Sequence, residues 1–169
     1  MIRYFGFIII LAASYGIGAL RSKGYRDRYR EVDLFRSIVL DMANTIRVAP
    51  LSIGDICGQY MGEKHQPFST AFAVLKEAAA KSSDPCDAIW DKAVAEMPLA
   101  STPAQKALYR SAISAFLLPD KDRVTASLEL VAGRLSEEAA QSREDMASKA
   151  KMAQKLSVAC GVFAVILLW

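Results

Sequence analysis

One cysteine and one histidine stand close enough in the sequence to form a nucleophile and its base. Cys57 and His65 are eight residues apart, and His65 is the single histidine of the chain. A thiol beside an imidazole is the arrangement of a Cys–His nucleophile pair. However, Cys57 falls on the apolar side of a short predicted helix, and no third residue is placed to orient His65. Catalysis by Cys57 is therefore the alternative to a non-catalytic function.

Two pairs of neighbouring carboxylates are the second candidates for chemistry. Glu137-Glu138 and Glu144-Asp145 both lie in a long, highly charged predicted helix. Paired carboxylates can serve as a general acid and base. On an exposed helix, however, such pairs usually form a solvated face. The alternative function is accordingly a membrane-tethered enzyme that uses Cys57 or one of these acidic pairs.

The sequence lacks the usual motifs for cofactors and nucleic acid. Cys57, Cys86 and Cys160 form no C-x-x-C pair, so a zinc site or a disulfide framework is not expected. Neither glycine-rich phosphate-binding motif occurs. A net charge of +3 gives no strong field for nucleic acid. We expect no catalytic residue, metal or cofactor, and no nucleic-acid or small-molecule partner.

An uncharged apolar segment lies near each end of the chain. The first, residues 4–20, would span about 25 Å as a helix, near the lower limit for crossing a membrane. The second, residues 156–169, would span about 21 Å as a helix, which is short for a membrane. It either crosses the membrane fully, with Trp169 as an anchor at the far interface, or inserts half-way. The predicted domains are a transmembrane anchor (1–22), a cytoplasmic helical bundle (23–155) and a C-terminal membrane segment (156–169).

Basic residues flank both apolar segments on the side that faces the middle of the chain. Arg21, Lys23 and Arg26 follow the first, and Lys151 and Lys155 precede the second. The positive-inside rule places the middle of the chain in the cytoplasm. Since basic residues follow the first segment in place of a small-x-small cleavage site, we expect an uncleaved anchor.

Glycines in the first apolar segment have two interpretations. Gly6, Gly16 and Gly18 lack the spacing of a strict G-x-x-x-G motif. They either mark a face where two helices approach closely or reflect the general frequency of glycine in membrane helices.

The middle of the chain has helical periodicity throughout. Leu34, Ile38, Met42 and Ile46 recur every four residues and predict a helix over 25–48. Further helices are predicted to start at the caps Ser52, Asp84 and Thr102 and at Asp120, and another follows Pro67. Val124, Leu128, Val131 and Leu135 give the last helix a seam in steps of four and three.

The last predicted helix has no glycine or proline from Arg134 to Leu156, so we expect it to run unbroken into the second apolar segment. The sequence therefore predicts an all-α fold. It is a six-helix antiparallel bundle flanked by an N-terminal transmembrane helix and a C-terminal hydrophobic membrane tail.

A charged face of the last helix is the candidate surface for a protein partner. It contains Arg134, Glu137, Glu138 and Arg143. Arg134 with Glu138, and Asp145 with Lys149, are opposite charges four residues apart and should pair on the solvated side. The alternative is that these side chains are merely solvated.

Short patterns recur in a fixed order between these segments. A basic stretch over 21–30 is followed by a helix that ends in a Pro-Leu turn at Pro50 and Leu51. Trp90 lies in an alanine- and tryptophan-containing helix, and Asp120 begins the last one after Phe116. A lysine-rich stretch and a glycine-containing aliphatic tail close the chain.

In this order the patterns resemble the stage III sporulation protein AB family of endospore-forming bacteria, over nearly the whole chain. The chain departs from the family pattern before Asp120, where a glycine and a serine are absent, and at Ser157, which replaces a glycine. The family is similar to platform protein F of type II secretion and type IV pilus systems, which couples a cytoplasmic ATPase to a membrane machine.

The resemblance implies a non-catalytic platform or adaptor subunit of the mother cell-to-forespore channel, needed for endospore development. The expected partners are the membrane and the other subunits of the channel complex, including its cytoplasmic ATPase. The expected location is the mother-cell membrane that faces the forespore, with the main domain in the cytoplasm.

Overall fold

Six α-helices and one 3₁₀ turn form the described part of this computed structural model, which comprises residues 2–49, 52–81 and 85–167. No strand occurs in these ranges, so the predicted all-α fold with six helices is confirmed. The 3₁₀ turn Glu63–His65 lies between the second and third helices. The helices are α1 (Ile2–Val48), α2 (Ile53–Gln59), α3 (Ser69–Lys81), α4 (Cys86–Glu96), α5 (Pro103–Phe116) and α6 (Lys121–Leu167).

The first and last helices are far longer than the other four. Each has 47 residues. The helix α1 includes the first apolar segment without a break, and α6 includes residues 156–167 of the second. The prediction that the last helix continues into the C-terminal apolar segment is confirmed, because α6 extends to Leu167.

The chain divides into two compact units. The bundle unit is residues 30–139, and the helix-pair unit is residues 1–29 together with 140–169. In the helix-pair unit, Gly18 of α1 lies against Ser157 of α6. Tyr25 of α1 lies near enough to Lys149 of α6 to influence the pKa of Lys149. The residue numbers rise along α1 and fall along α6, so the two helices are antiparallel there.

The bundle unit has an aromatic core. Phe35 of α1 is fully buried, with ring centroids 4.8 Å from Phe68 and 4.5 Å from Tyr109. Trp90 packs on Phe72 at 5.1 Å, and its indole N–H donates to the Tyr109 carbonyl at 3.1 Å. A buried indole needs such a partner for its N–H group. Aliphatic residues of α1 and α6, including the predicted seam of the last helix, close this core.

Helix starts follow the predicted caps wherever the structure describes them. Ser52 Oγ accepts from the Asp55 backbone N–H at 3.2 Å. Thr102 and Gln105 form a full capping box at the start of α5. Asp120 precedes α6 and accepts from the Asp122 N–H at 3.3 Å. Each bond satisfies an N–H group that has no partner within its helix. The predicted cap Asp84 lies outside the described residues.

Candidate functional site

The helix-pair unit has small residues inside and large apolar residues outside. Among its described side chains, the buried ones are Gly18, Ser142 and Ala150. Large apolar side chains are exposed instead: 71% of Leu20, 70% of Met152 and 65% of Ile166 are accessible. The further exposed members are Tyr15, Ile17, Leu156, Val158, Val162 and Phe163.

This distribution is the reverse of the bundle unit, where the large side chains form the core. Large apolar side chains exposed in such number on one pair of helices are typical of a surface that binds something. Helices in lipid are packed by small residues at their contacts, because large apolar side chains gain nothing there from leaving a solvent that is itself apolar. The described side chains of the helix-pair unit have this distribution, with small residues inside and large apolar residues outside.

Gly18 is where α1 and α6 approach most tightly among the described glycine positions. A Cβ on Gly18 would lie 3.0 Å from Ser157 Cβ and 3.2 Å from the Gln154 Cα. A Cβ on Gly16 would meet nothing within 4 Å. The close-packing interpretation is therefore correct for Gly18, whereas Gly16 faces open space.

Basic side chains are exposed on the same unit. The predicted membrane-flanking residues are all exposed: Arg21, Lys23, Arg26, Lys151 and Lys155. The unit contains nine basic and three acidic residues, a formal charge of +6, whereas the bundle unit contains twelve and fifteen, a charge of −3. The modest net charge of the whole chain thus conceals a strong segregation.

One lysine of this unit is already paired. Lys149 Nζ lies 2.7 Å from Asp145 Oδ1, as the i,i+4 spacing predicted. The hydrogen bond that Lys149 donates to Asp145 raises the pKa of Lys149 above its usual value. Over residues 2–49, 52–81 and 85–167, no helix holds a stretch both long and apolar enough to cross a membrane.

The environment of Cys57 is unsuited to a nucleophile. Its side chain is fully buried, and burial raises the pKa of the thiol to about 12, with the thiol of Cys86 acting in the same direction. The thiolate is the reactive form, so a reactive cysteine needs a lowered pKa. Cys57 therefore packs as a small core residue, with Ile56 and Tyr60 on the same side of α2.

The single histidine packs against a tyrosine. The His65 ring meets Tyr60 edge-on at 5.2 Å, and the Tyr60 hydroxyl donates to Asp41 Oδ2 at 2.8 Å. No described protein atom bonds to His65 Nδ1, which is enclosed. Burial lowers the pKa of His65, helped by the charge of Lys64 and opposed by that of Asp41. In the described part of the chain, no three histidine, cysteine or carboxylate side chains converge as metal ligands do.

The predicted charged face of α6 is divided in the structure. Arg134 and Glu137 are exposed on the bundle unit. Glu138 is half-buried, and its Oε2 accepts from Gln105 Nε2 at 3.0 Å. Glu138 thus joins α6 to α5. It was predicted to pair with Arg134 on the solvent side, but its carboxylate instead accepts from the buried amide of Gln105. Arg143 is exposed on the helix-pair unit.

A carboxylate that no sequence motif marked holds the connection between α4 and α5. Glu31 accepts from the backbone N–H groups of Ala100 at 2.9 Å and Ser101 at 3.0 Å, and from Ser101 Oγ at 2.7 Å. Ser101 Oγ also lies 2.8 Å from the buried Tyr109 hydroxyl. Glu31 stands four residues before the core residue Phe35, and that spacing on the buried stripe was the available signal.

The positions of the family pattern have different roles. Trp90 is a core residue with 1% of its surface exposed. Asp120 is exposed, caps α6 and lies 3.6 Å from Arg123. Pro50 and Leu51, and the predicted anchor Trp169, lie outside the described residues.

Comparison with known proteins agrees with these features. Among solved structures, the chain is similar to one described as "Stage III sporulation protein AB (SpoIIIAB)", with 16% identity and a TM-score of 0.63. The match covers 71% of this chain and 96% of that one, and it supports the fold. No curated protein sequence matches the chain. The family model described as "Stage III sporulation protein AB (spore_III_AB)" matches residues 3–169. The chain therefore belongs to the stage III sporulation protein AB family, as its sequence patterns predicted.

Proposed function

We propose that this protein is a non-catalytic membrane platform or adaptor subunit of the mother cell-to-forespore channel, a secretion-like complex needed for endospore development. Membership of the family supports a role in sporulation. The observation that carries the membrane part is the reversed packing of the helix-pair unit, with Gly18, Ser142 and Ala150 inside and large apolar side chains outside. The deep burial of Cys57 weighs against the alternative of a tethered enzyme.

The proposed topology follows from charge and apolar surface. Residues 1–22 anchor the chain, residues 156–169 insert as a second segment, and residues 23–155 lie in the cytoplasm. The membrane is the mother-cell membrane facing the forespore. The exposed lysines and arginines next to both segments support this orientation, since basic residues stay on the cytoplasmic side.

A topology test uses one new cysteine at the end of the tail. A variant with Cys57, Cys86 and Cys160 replaced by alanine and with Trp169→Cys is produced in non-sporulating cells, where the far side of the cell membrane faces the medium. Intact spheroplasts are then labelled with a membrane-impermeant maleimide. Labelling before lysis means that the tail crosses fully. Labelling only after detergent treatment means a half-inserted tail. Labelling on lysis without detergent, together with release by alkaline carbonate, would contradict membrane attachment.

The adaptor part requires a protein-binding surface on the bundle unit. The exposed side chains of Arg134 and Glu137 are the core of that surface, and Glu138 is a further candidate member. Arg143 is a separate candidate on the helix-pair unit. The proposed partners are the other channel subunits, including the cytoplasmic ATPase. Similarity of the family to platform protein F of type II secretion and type IV pilus systems supports this assignment by analogy alone.

Crosslinking in sporulating cells tests the adaptor part. Full-length protein is crosslinked, purified and scored by mass spectrometry for the ATPase and membrane subunits. Arg134→Glu with Glu137→Arg reverses the charges without altering the net charge, and should reduce recovery of the subunit that binds there. The matched control is Glu63→Lys with Lys64→Glu, an exposed pair on the 3₁₀ turn, which should leave recovery unchanged. Absence of all channel subunits from the wild-type sample, in cells that contain them, would contradict the proposal.

A further inference from the structure

Two shallow grooves lie on either side of a lysine pair on α6. One groove, of about 460 Å³, has Met152, Leu156 and Ala159 as apolar walls. The other, of about 440 Å³, has Val158 and Ala159. Lys151 and Lys155 line both grooves, so the two ammonium groups stand between them. Each groove therefore combines positive charge with apolar wall.

The polarity of both grooves changes along the helix. Lys151 and Lys155 are one turn apart and lie on the same face of α6, so one anionic group can contact both. No charged residue follows Lys155, up to the end of the chain at Trp169. The first groove begins at Ala147 and Ser148, before the lysines, and the second also contains Gln154. Beyond Lys155 the lining of both grooves is apolar, with Leu156, Val158 and Ala159. An amphiphile with an anionic head matches this change from cationic to apolar lining.

The neighbouring lysine does not share this geometry. Lys149 lines neither groove, and its ammonium group pairs with Asp145 at 2.7 Å. A salt bridge neutralises most of its attraction for a second anion. Lys151 and Lys155 therefore differ from Lys149: they line the grooves, whereas Lys149 lies outside both grooves and is paired with Asp145.

We propose that Lys151 and Lys155 bind the phosphate of an anionic phospholipid, whose two acyl chains lie in the two grooves. The inference rests on the proposed membrane attachment and names the lipid class that the attachment recognises. The +6 charge of the helix-pair unit attracts an anionic head group in preference to a zwitterionic one. A free phosphate would use the lysines but leave the apolar walls without a role.

Lipid titration of the full-length protein tests the proposal. The protein is purified in a neutral detergent, and bound lipid is counted by native mass spectrometry during titration with phosphatidylglycerol or phosphatidylcholine of the same chain length. Lys151→Gln and Lys155→Gln should each weaken phosphatidylglycerol binding about fivefold, and the double variant about twenty-five-fold. Lys149→Gln removes the same charge and is the matched control, with an expected change of less than about twofold. Phosphatidylcholine binding should be the same in every variant.

Three results would overturn the inference. Equal binding of both lipids by the wild type would mean that no head group is recognised. An equal loss for Lys149→Gln and Lys151→Gln would mean diffuse attraction with no site. Competition by millimolar inorganic phosphate, with no effect of Leu156→Ser on phosphatidylglycerol binding, would mean a phosphate site that ignores acyl chains.

Failure of this inference is distinguishable from failure of the proposed function. If the protein resists carbonate extraction from cell membranes but shows no preference between the two lipids in the titration, the lipid site alone is overturned. A protein that carbonate releases from the membrane would overturn membrane attachment, and the lipid site with it.

Discussion

Replacing Glu31 should loosen the bundle unit without removing any of its apolar core. The Glu31 carboxylate receives three hydrogen bonds, from two backbone N–H groups and one hydroxyl of residues 100 and 101. Glu31→Ala leaves these three donors without their acceptor. Glu31→Gln retains one acceptor oxygen but turns an amide N–H group towards donors, so some of the bonds are also lost.

The size of the effect follows from the charge and the burial of the contacts. A hydrogen bond to a charged group contributes about 1.5–3 kcal/mol to the free energy of unfolding. The site is only partly buried, so water replaces some of what is lost. We expect Glu31→Ala to lower the free energy of unfolding by about 2–4 kcal/mol, and Glu31→Gln by about half of that.

Urea denaturation of the full-length protein in a mild detergent, followed by circular dichroism, measures these changes. The matched control is Asp33→Asn on the same helix, which removes a charge that pairs with Arg36 three residues away. Such an intrahelical pair contributes about 0.3–0.5 kcal/mol. A loss for Glu31→Ala as small as that for Asp33→Asn would refute the reasoning that Glu31 fixes the α4–α5 connection.

Four further outcomes follow from the same contacts. Trp90→Ala should cost about 3–5 kcal/mol of unfolding free energy in the same urea assay, because it empties a fully packed site. A loss below about 2 kcal/mol would contradict the core described above. Gly18→Ala should lower the melting temperature whereas Gly16→Ala should not, since only the first adds a Cβ within 3.0 Å of α6. Cys57 should react with iodoacetamide about a thousandfold more slowly at pH 8 in the native protein than in urea, since its pKa rises from 9.0 to about 12; equal rates would restore it as a candidate nucleophile. The pKa of His65 is lower in the folded protein than its unfolded value near 6.5. The neutral imidazole therefore makes its full contribution to the free energy of unfolding above pH 6.5. That contribution is lost as the pH falls through the pKa of the folded state. His65→Gln should therefore flatten the loss of stability below pH 6.5, and an unchanged pH profile would show that His65 is not responsible.

Local features of the fold were predictable because each depends on residues close together in the sequence. The capping box at Thr102 needs only Gln105, three residues further on, to form. The buried stripe of α1 follows from four-residue spacing, and Ile38, Met42 and Ile46 are all buried as predicted. The unbroken α6 follows from a long absence of glycine and proline.

Contacts between distant residues were not predictable from the same patterns. Glu31 bonds to the backbone 69 and 70 residues away, and periodicity along α1 shows only that it lies on the buried side. Glu138 was predicted to pair with Arg134 because helix spacing favours that contact, yet it bonds to Gln105, 33 residues away. The choice between two partners for one carboxylate depends on tertiary packing, which spacing along one helix does not contain.

The two ends of the chain also explain why the net charge alone was uninformative. A +6 helix-pair unit and a −3 bundle unit add to a modest total, so the average hides the segregation. The bundle unit buries large side chains such as Phe35 and Trp90, and the hydrophobic effect stabilises it in water. The helix-pair unit buries small side chains and exposes Leu20 and Met152. The hydrophobic effect therefore contributes little to the association of its two helices in water. Its close contact at Gly18 brings small residues of α1 and α6 together, which is the packing expected where burial of large apolar side chains contributes little.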